Sequence, residues 1–253
     1  MRKTVLITGA TSGIGKASAY IFAENGHNLI ITGRRQNRLN TLAIELKTFG
    51  IEVLPLSFDI RDKASVKKHL SDLPAEWQTI DILINNAGLA SGLGHWQDGD
   101  TEDWDKMIDT NIKGLLYVSK ALIPYVKNSD AGHIINIGST AGKEVYENGN
   151  VYCASKHAVD AISQAMRIDL LKDGIKVTQI CPGMAETEFS EVRFHGDKEM
   201  AKKVYEGFDV MSAEDVASII YYSTTLPKHL CINDLVLTST AQANSFYTDR
   251  QLS

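Results

Sequence analysis

Apolar residues recur along this chain in two alternating rhythms. Short runs of strand length stand at Thr4–Thr8, Asn28–Thr32, Ile51–Phe58, Ile80–Asn85, His133–Gly138, Lys176–Cys181 and Asp234–Leu237. Between them lie longer stretches with helical spacing. Leu39, Leu42, Ala43 and Leu46, for example, fall at i, i+3, i+4 and i+7. Strands that are apolar on both faces and separated by helices predict a parallel sheet covered on both sides. Right-handed crossovers then make it a doubly wound, Rossmann-type α/β domain with a seven-stranded sheet. Long helices are predicted over Val151–Leu171 and Ala213–Thr224. One region, about 184–210, breaks the rhythm. It is rich in charge and contains Gly196 and Gly207. At that position an insertion lies at the carboxyl end of the sheet, where such folds bind ligands, so a small helical lid is expected there.

Composition narrows this picture. The chain has 253 residues, 43% hydrophobic and 23% charged, which one α/β domain can fill. A net charge of −5 argues against a general binder of phosphate backbones. No apolar run reaches membrane-spanning length, and the stretch after Met1-Arg2-Lys3 is too short for a signal-peptide core. The expectation is a cytoplasmic protein without nucleic-acid or membrane partners. Cys153, Cys181 and Cys231 are widely spaced, and the seven histidines form no ligand cluster. Reduced thiols and no metal site are therefore expected.

Chemistry enters at the end of the first strand. Thr8-Gly9-Ala10-Thr11-Ser12-Gly13-Ile14-Gly15 sits between a strand and a helix. Glycines there let the backbone turn tightly and approach a pyrophosphate, which then faces the free N–H groups of the helix start. The second strand ends Gly33-Arg34-Arg35. An acid at this place suits the ribose of NAD, whereas arginine suits the 2′-phosphate of NADP. Solvated helix-start cations are the plainer alternative. Further along, Tyr152 and Lys156 stand four apart on a predicted helix and so share a face. A phenol titrates near 10 and works poorly at neutral pH unless a neighbouring cation favours the phenolate. Ser139, at a strand end upstream, completes a candidate acid–base group.

The spacing G-x-x-x-G-x-G, followed in order by Asp59, Asn85-Asn86-Ala87-Gly88, Asn111, Ser139, Tyr152-x-x-x-Lys156, Pro182-Gly183 and Thr187, resembles the short-chain dehydrogenase/reductase family. The resemblance implies an oxidoreductase that uses NADP. It implies that Gly9, Thr11, Ser12, Gly13, Ile14 and Gly15 cradle the pyrophosphate, and that Arg34 and Arg35 meet the 2′-phosphate. Asp59 and Ile60 would contact adenine, and Asn85, Ala87 and Gly88 would pass under the ribose. Pro182, Gly183 and Thr187 would meet the nicotinamide. Tyr152 would be the general acid or base, Lys156 would hold the ribose and tune Tyr152, and Ser139 would bond the substrate oxygen. Asn111 would bend its helix and hold a water of the proton relay.

The stretches Gly138–Lys156 and Thr187–Phe194 are similar to the NADP-dependent 3-hydroxy acid dehydrogenase group, whose members act on serine, allo-threonine or malonic semialdehyde. A small hydroxy acid needs a partner for its carboxylate, and Arg193 in the lid could supply it. Equally, Arg193 could be a surface residue paired with Glu188 or Glu191, and Glu186, Glu188 and Glu191 could oppose an anion. Rival readings are a carbonyl or 3-oxoacyl reductase with an apolar or carrier-bound substrate, and a dinucleotide sensor without turnover. The resemblance also implies a homodimer or homotetramer paired through Asn111–Val126 and Val151–Leu171.

Overall fold

The computed structural model of the chain describes residues 2–251. It begins with β1 (Thr4–Ile7), α1 (Gly13–Glu24), β2 (Asn28–Gly33), α2 (Gln36–Lys47), β3 (Val53–Ser57), α3 (Lys63–Leu70) and β4 (Ile82–Asn85). After these come α4 (Thr101–Ile108), α5 (Leu115–Val126), β5 (His133–Ile137), α6 (Asn150–Asp169) and β6 (Lys176–Pro182). The chain then passes through β7 (Ala185–Glu186), α7 (Phe189–Arg193), α8 (Lys198–Lys203), β8 (Met211–Ser212), α9 (Ala213–Thr225) and β9 (Asp234–Leu237).

Seven strands pair in the order β3-β2-β1-β4-β5-β6-β9, and every pairing is parallel. The order reverses between β1 and β4, which opens a crevice at the carboxyl ends of these strands. The expected single Rossmann-type domain is present, with its strand boundaries close to those predicted. Pro55 fits because β3 is an edge strand and has no neighbour on one side.

Side-chain alternation builds two cores. Val5, Ile7, Leu29, Ile31, Ile82 and Ile84 face α1, α2 and α9, where Phe22, Leu39, Val216 and Ile220 meet them. Leu6, Ile30, Leu83 and Ile134 point to the other face and pack on Val66, Leu70, Val118 and Leu122 of α3 and α5. Each such side chain, fully buried, contributes about 1.5–3 kcal/mol, and together they hold the crevice walls rigid. Between α4 and α5 the helix widens into a π-turn over Asp109–Gly114. Such turns bend a helix, and this one carries Asn111.

The irregular stretch forms the two short helices α7 and α8. It is bracketed by β7 and β8, which pair Ala185↔Met211 and Glu186↔Ser212. Beyond β9 the tail folds back. The Arg250 side chain donates to the carbonyls of Val204 and Glu206, beside α8.

Candidate active site

The crevice is a continuous cavity of about 440 Å³. At one end the turn after β1 is fixed by polar ties to the turn after β4. The Thr8 hydroxyl accepts from the N–H groups of Asn86 and Ala87, each at 3.0 Å, and Asn86 Nδ2 donates to the Thr8 carbonyl at 2.9 Å. Gly9 and Gly13 have φ of +68° and +50°, a region where a side chain is strained. A Cβ at Gly15 would lie 2.4 Å from the Gly9 carbonyl oxygen, so only glycine lets α1 close onto the turn. The start of α1 has no side-chain cap and no acid in its first turn. Its amide dipoles therefore face the crevice without an anionic partner.

Gly9, Thr11, Ser12, Gly13, Ile14, Arg34, Arg35, Asp59, Ile60, Ala87 and Gly88 all line this end. Gly15 and Asn85 do not. Gly15 serves the packing just described. The Asn85 amide turns inward, donating to Ser119 Oγ at 2.9 Å and Asn136 Oδ1 at 2.8 Å, so only its backbone is available to a ligand.

The two arginines differ. Arg34 is 59% exposed and reaches Asp59 only at 3.9 Å. The Asp59 carboxyl is opposed by burial, yet hydrogen bonds from Arg61 and the charges of Arg61 and Arg34 hold it below the usual range. Arg35 donates to Thr11 Oγ1 at 2.9 Å, Ser12 Oγ at 2.9 Å and Glu188 Oε2 at 3.0 Å. Arg38 joins the same carboxylate at 2.8 Å. Glu188, at the start of α7, is thereby tied to the β2–α2 end. Arg38 was not among the residues singled out by sequence, because in a helix its first turn reads as ordinary surface charge.

At the other end the cavity is lined by Ser139, Tyr152, Lys156, Pro182, Gly183, Thr187 and Arg193. Tyr152 and Lys156 share a face of α6, with Lys156 Nζ 5.9 Å from the Tyr152 ring centre. Nζ donates to the Ile137 carbonyl at 3.0 Å. Burial lowers the Lys156 ammonium to about 8. The Tyr152 phenol is displaced far upward, chiefly by burial and then by Tyr146, while Ser139 and Arg193 pull it down. Within the polypeptide alone, burial is the largest influence on the Tyr152 phenol and raises it. Asn111 does not line the cavity. Its amide donates to the Leu89 carbonyl at 2.8 Å and Ser155 Oγ at 3.0 Å, and accepts from the Leu89 N–H at 2.9 Å. These bonds lock the π-turn against α6 and the loop after β4.

Arg193 pairs with neither Glu188 nor Glu191. Its Nη2 donates to the Tyr146 hydroxyl at 2.9 Å, and its guanidinium carbon stands 5.6 Å from the Tyr152 ring centre. Its Nε is buried without a partner. Two further contacts hold this end of α7. The Gly92 N–H donates to the Arg193 carbonyl at 2.9 Å. His195, at φ +54°, sets Nε2 3.1 Å from the buried carboxylate of Asp103 on α4. Burial opposes the Asp103 charge, but hydrogen bonds from Ser91 and Lys106, with His195 beside them, hold its pKa low.

Sequence reasoning passed over other wall residues, among them Tyr146, Phe189, Gln242 and Ser245. Tyr146 lies in a loop, Phe189 packs edge-on against Tyr152 at 5.7 Å, and Gln242 and Ser245 come from the tail. Gln242 Oε1 accepts from the Met184 N–H at 2.8 Å. Burial of a tail residue is visible only in the fold, so the sequence carried no signal for these positions.

With this geometry in place, comparison with known proteins becomes informative. The family model for short chain dehydrogenase matches residues 3–198. The chain belongs to the short-chain dehydrogenase family. It is 46% identical over 240 residues to the NADP-dependent 3-hydroxy acid dehydrogenase YdfG of Salmonella typhimurium, covering 94% of this chain and 96% of that one. Sulfoacetaldehyde reductase 2 of Chromohalobacter salexigens is 44% identical over 252 residues, covering 99% and 100%. Among solved structures, the closed form of serine dehydrogenase complexed with NADP+ superposes with a TM-score of 0.91 at 44% identity, covering 96% and 97%.

Proposed function

We propose that this short-chain dehydrogenase interconverts a small 3-hydroxy acid and its oxo acid or semialdehyde, using NADP. The observation that carries the proposal is the Arg193 guanidinium, which has a buried, unpartnered Nε and lines the same cavity as the Tyr152 ring. An uncompensated donor in that position suits a substrate carboxylate and disfavours an apolar chain. The relatives' names fit, since a 3-hydroxy acid, sulfoacetaldehyde and serine all bear an acidic group.

The polypeptide also suits the dinucleotide. The uncapped start of α1 and the close glycine turn accept a pyrophosphate, and exposed Arg34 with Arg35 accepts a 2′-phosphate. When bound, NADPH supplies the hydride. The residues of the chain do the rest. Arg193 would hold the carboxylate, which fixes the reacting carbon near Tyr152. Ser139 would donate to the carbonyl oxygen, where charge develops. Tyr152, kept protonated by burial, would give its proton to that oxygen in reduction and take it back in oxidation. Lys156 would use its remaining N–H groups on the ribose hydroxyls. The segment 184–210 would act as the lid of one domain. Assembly into a homodimer or homotetramer belongs to the same reading, with exposed Leu116, Ile168 and Leu171 on α5 and around the end of α6. No helix among the described residues is long and apolar enough to cross a membrane.

The test is a rate panel of 3-hydroxy acids and neutral alcohols with NADP and NAD. Turnover should be faster with acidic substrates than with neutral ones and should favour NADP, and Tyr152→Phe should abolish it while NADPH still binds. Preference for neutral alcohols, or turnover retained by Tyr152→Phe, would overturn the proposal.

A further inference from the structure

The turn that carries Ser139 is pressed between two elements. Gly138 leads out of β5, and a single 3-10 turn over Thr140–Gly142 follows. A Cβ at Gly138 would lie 2.7 Å from Cys181 Sγ on β6, and one at Gly142 would lie 2.6 Å from the Lys156 carbonyl oxygen on α6. The two glycines therefore let the turn sit directly on both neighbours. Ser139 Oγ accepts from the Ala141 N–H at 3.1 Å, which fixes the side chain to its own turn. The Ser139 hydroxyl therefore moves with the turn.

Lys143 ends that turn and fastens it. Its Nζ donates to Asp160 Oδ1 at 2.6 Å and stands 2.7 Å from Asp234 Oδ2. Asp160 lies four residues beyond Lys156, as Lys156 lies four beyond Tyr152, so the three follow one side of α6. Asp234 opens β9. One ammonium thus joins the Ser139 turn, the helix of Tyr152 and the last strand. The remaining oxygens are also occupied: Asp160 Oδ2 accepts from Gln164 Nε2 at 2.8 Å, and Asp234 Oδ1 from Cys181 Sγ at 3.5 Å. Burial and then the charge of Asp234 push the Cys181 thiol up to about 12, so it remains a neutral donor. Among the described residues, Lys143 is the only cation within 4 Å of either aspartate. Lys143 and Asp160 have side chains only 25% and 22% exposed, so solvent and salt screen them less than an open surface pair. Without the ammonium, Asp160 on the helix and Asp234 on the strand would face each other unneutralised, and like charges at that range repel.

We propose that Lys143 is a positioning residue for the reaction: by bridging Asp160 and Asp234 it sets the Ser139 hydroxyl against Tyr152. Lys143 itself does not line the crevice, whereas Ser139 and Tyr152 both do. The proposal rests on the role given to Ser139 above. A catalytic group displaced by about 1 Å can cost on the order of 100-fold in rate. A turn still held by its backbone bonds and its two glycine contacts should move less than that.

The test is steady-state oxidation of 3-hydroxypropanoate by NADP+. Lys143→Met should lower kcat roughly tenfold. KM and the NADPH dissociation constant from fluorescence titration should change less than about twofold, because Ser139 acts where charge develops in the transition state. Lys143→Arg can still bridge two carboxylates and should recover all but about threefold of the rate. In the Ser139→Ala chain, adding Lys143→Met should cost nothing further, since the hydroxyl it positions is gone. Asp234→Asn should show the same pattern at roughly threefold, and its exposed side chain keeps it informative if Lys143→Met fails to fold. Losses from Lys143→Met and Ser139→Ala that multiply, a loss that falls on KM, or no recovery with Lys143→Arg would make the bridge merely structural and overturn the assignment. If Ser139→Ala alone leaves kcat intact, the role of Ser139 in the crevice fails instead, and the assignment of Lys143 falls with it.

Discussion

Replacing Arg193 with Met tests the assignment of an acidic substrate most directly. The substitution keeps an unbranched stem of similar length and removes the guanidinium. In the folded protein this group makes one side-chain hydrogen bond, to Tyr146, and leaves one buried N–H unpaired. Losing the first and relieving the second oppose each other, so folding stability should change by less than about 1 kcal/mol. Substrate affinity should not escape so lightly. A hydrogen bond from a charged donor is worth about 1.5–3 kcal/mol, and roughly 1.4 kcal/mol is tenfold. The value of kcat/KM for an oxo acid should therefore fall roughly 10- to 100-fold. The assay is the initial rate of NADPH oxidation with an oxo acid and, in parallel, with its neutral methyl ester. The ester should lose less than about threefold, because it offers no charge to Arg193. Equal losses on acid and ester would refute the carboxylate contact and leave Arg193 as packing against Tyr146 and Tyr152.

Two further outcomes follow from other charged groups. Glu188→Gln removes an anion from beside Arg35, and exposed ion pairs are worth about 0.2–1 kcal/mol each. NADPH should then bind roughly two- to fivefold more tightly by fluorescence titration with NADH unchanged, and weaker NADPH binding would count against Arg35 as a 2′-phosphate ligand. His133 opens β5 and is buried, and burial holds its folded pKa far below its unfolded value of 6.5. As pH falls from about 6.5 toward 3, the unfolded chain takes up a proton that the folded chain refuses. This group's contribution should therefore fall by roughly 1 kcal/mol per pH unit. Urea unfolding of His133→Phe between pH 7 and 5 should show a shallower loss of stability than the parent chain, and parallel slopes would contradict the burial argument.

The sheet was legible because its strands are buried on both faces and so read as continuous apolar runs. Even so, the run from Ile51 begins before the ladder: Ile51 and Ile80 are buried ahead of β3 and β4, so burial marks the core rather than the hydrogen-bonded strand. The glycine turn, Tyr152 and Lys156 were legible because their spacing is local. What escaped depends on contacts distant in sequence. Tyr146 acquires its role from Arg193, 47 residues away. Gln242 meets Met184 across 58 residues. The π-turn at Asp109–Gly114 adds no pattern of its own to a helical stretch, and α7, with five residues, is too short to display a period. The destination of Glu188 was equally hidden, because a carboxylate does not record in sequence which arginine it will face.

The two fastenings of α7 have a consequence for the order of exchange. Its first end is tied to Arg35 and Arg38, beside the predicted adenosine site, and its last end to Asp103, beside the loop after β4. The helix is thus a short bridge with separate abutments on the two banks of the crevice. Loosening His195 from Asp103 together with the Gly92 and Tyr146 bonds of Arg193 would swing the Arg193 end aside while the Glu188 end holds, and a small acid could leave with the dinucleotide still seated. Loosening Glu188 instead would free the dinucleotide's bank alone. One five-residue helix can therefore serve two exits.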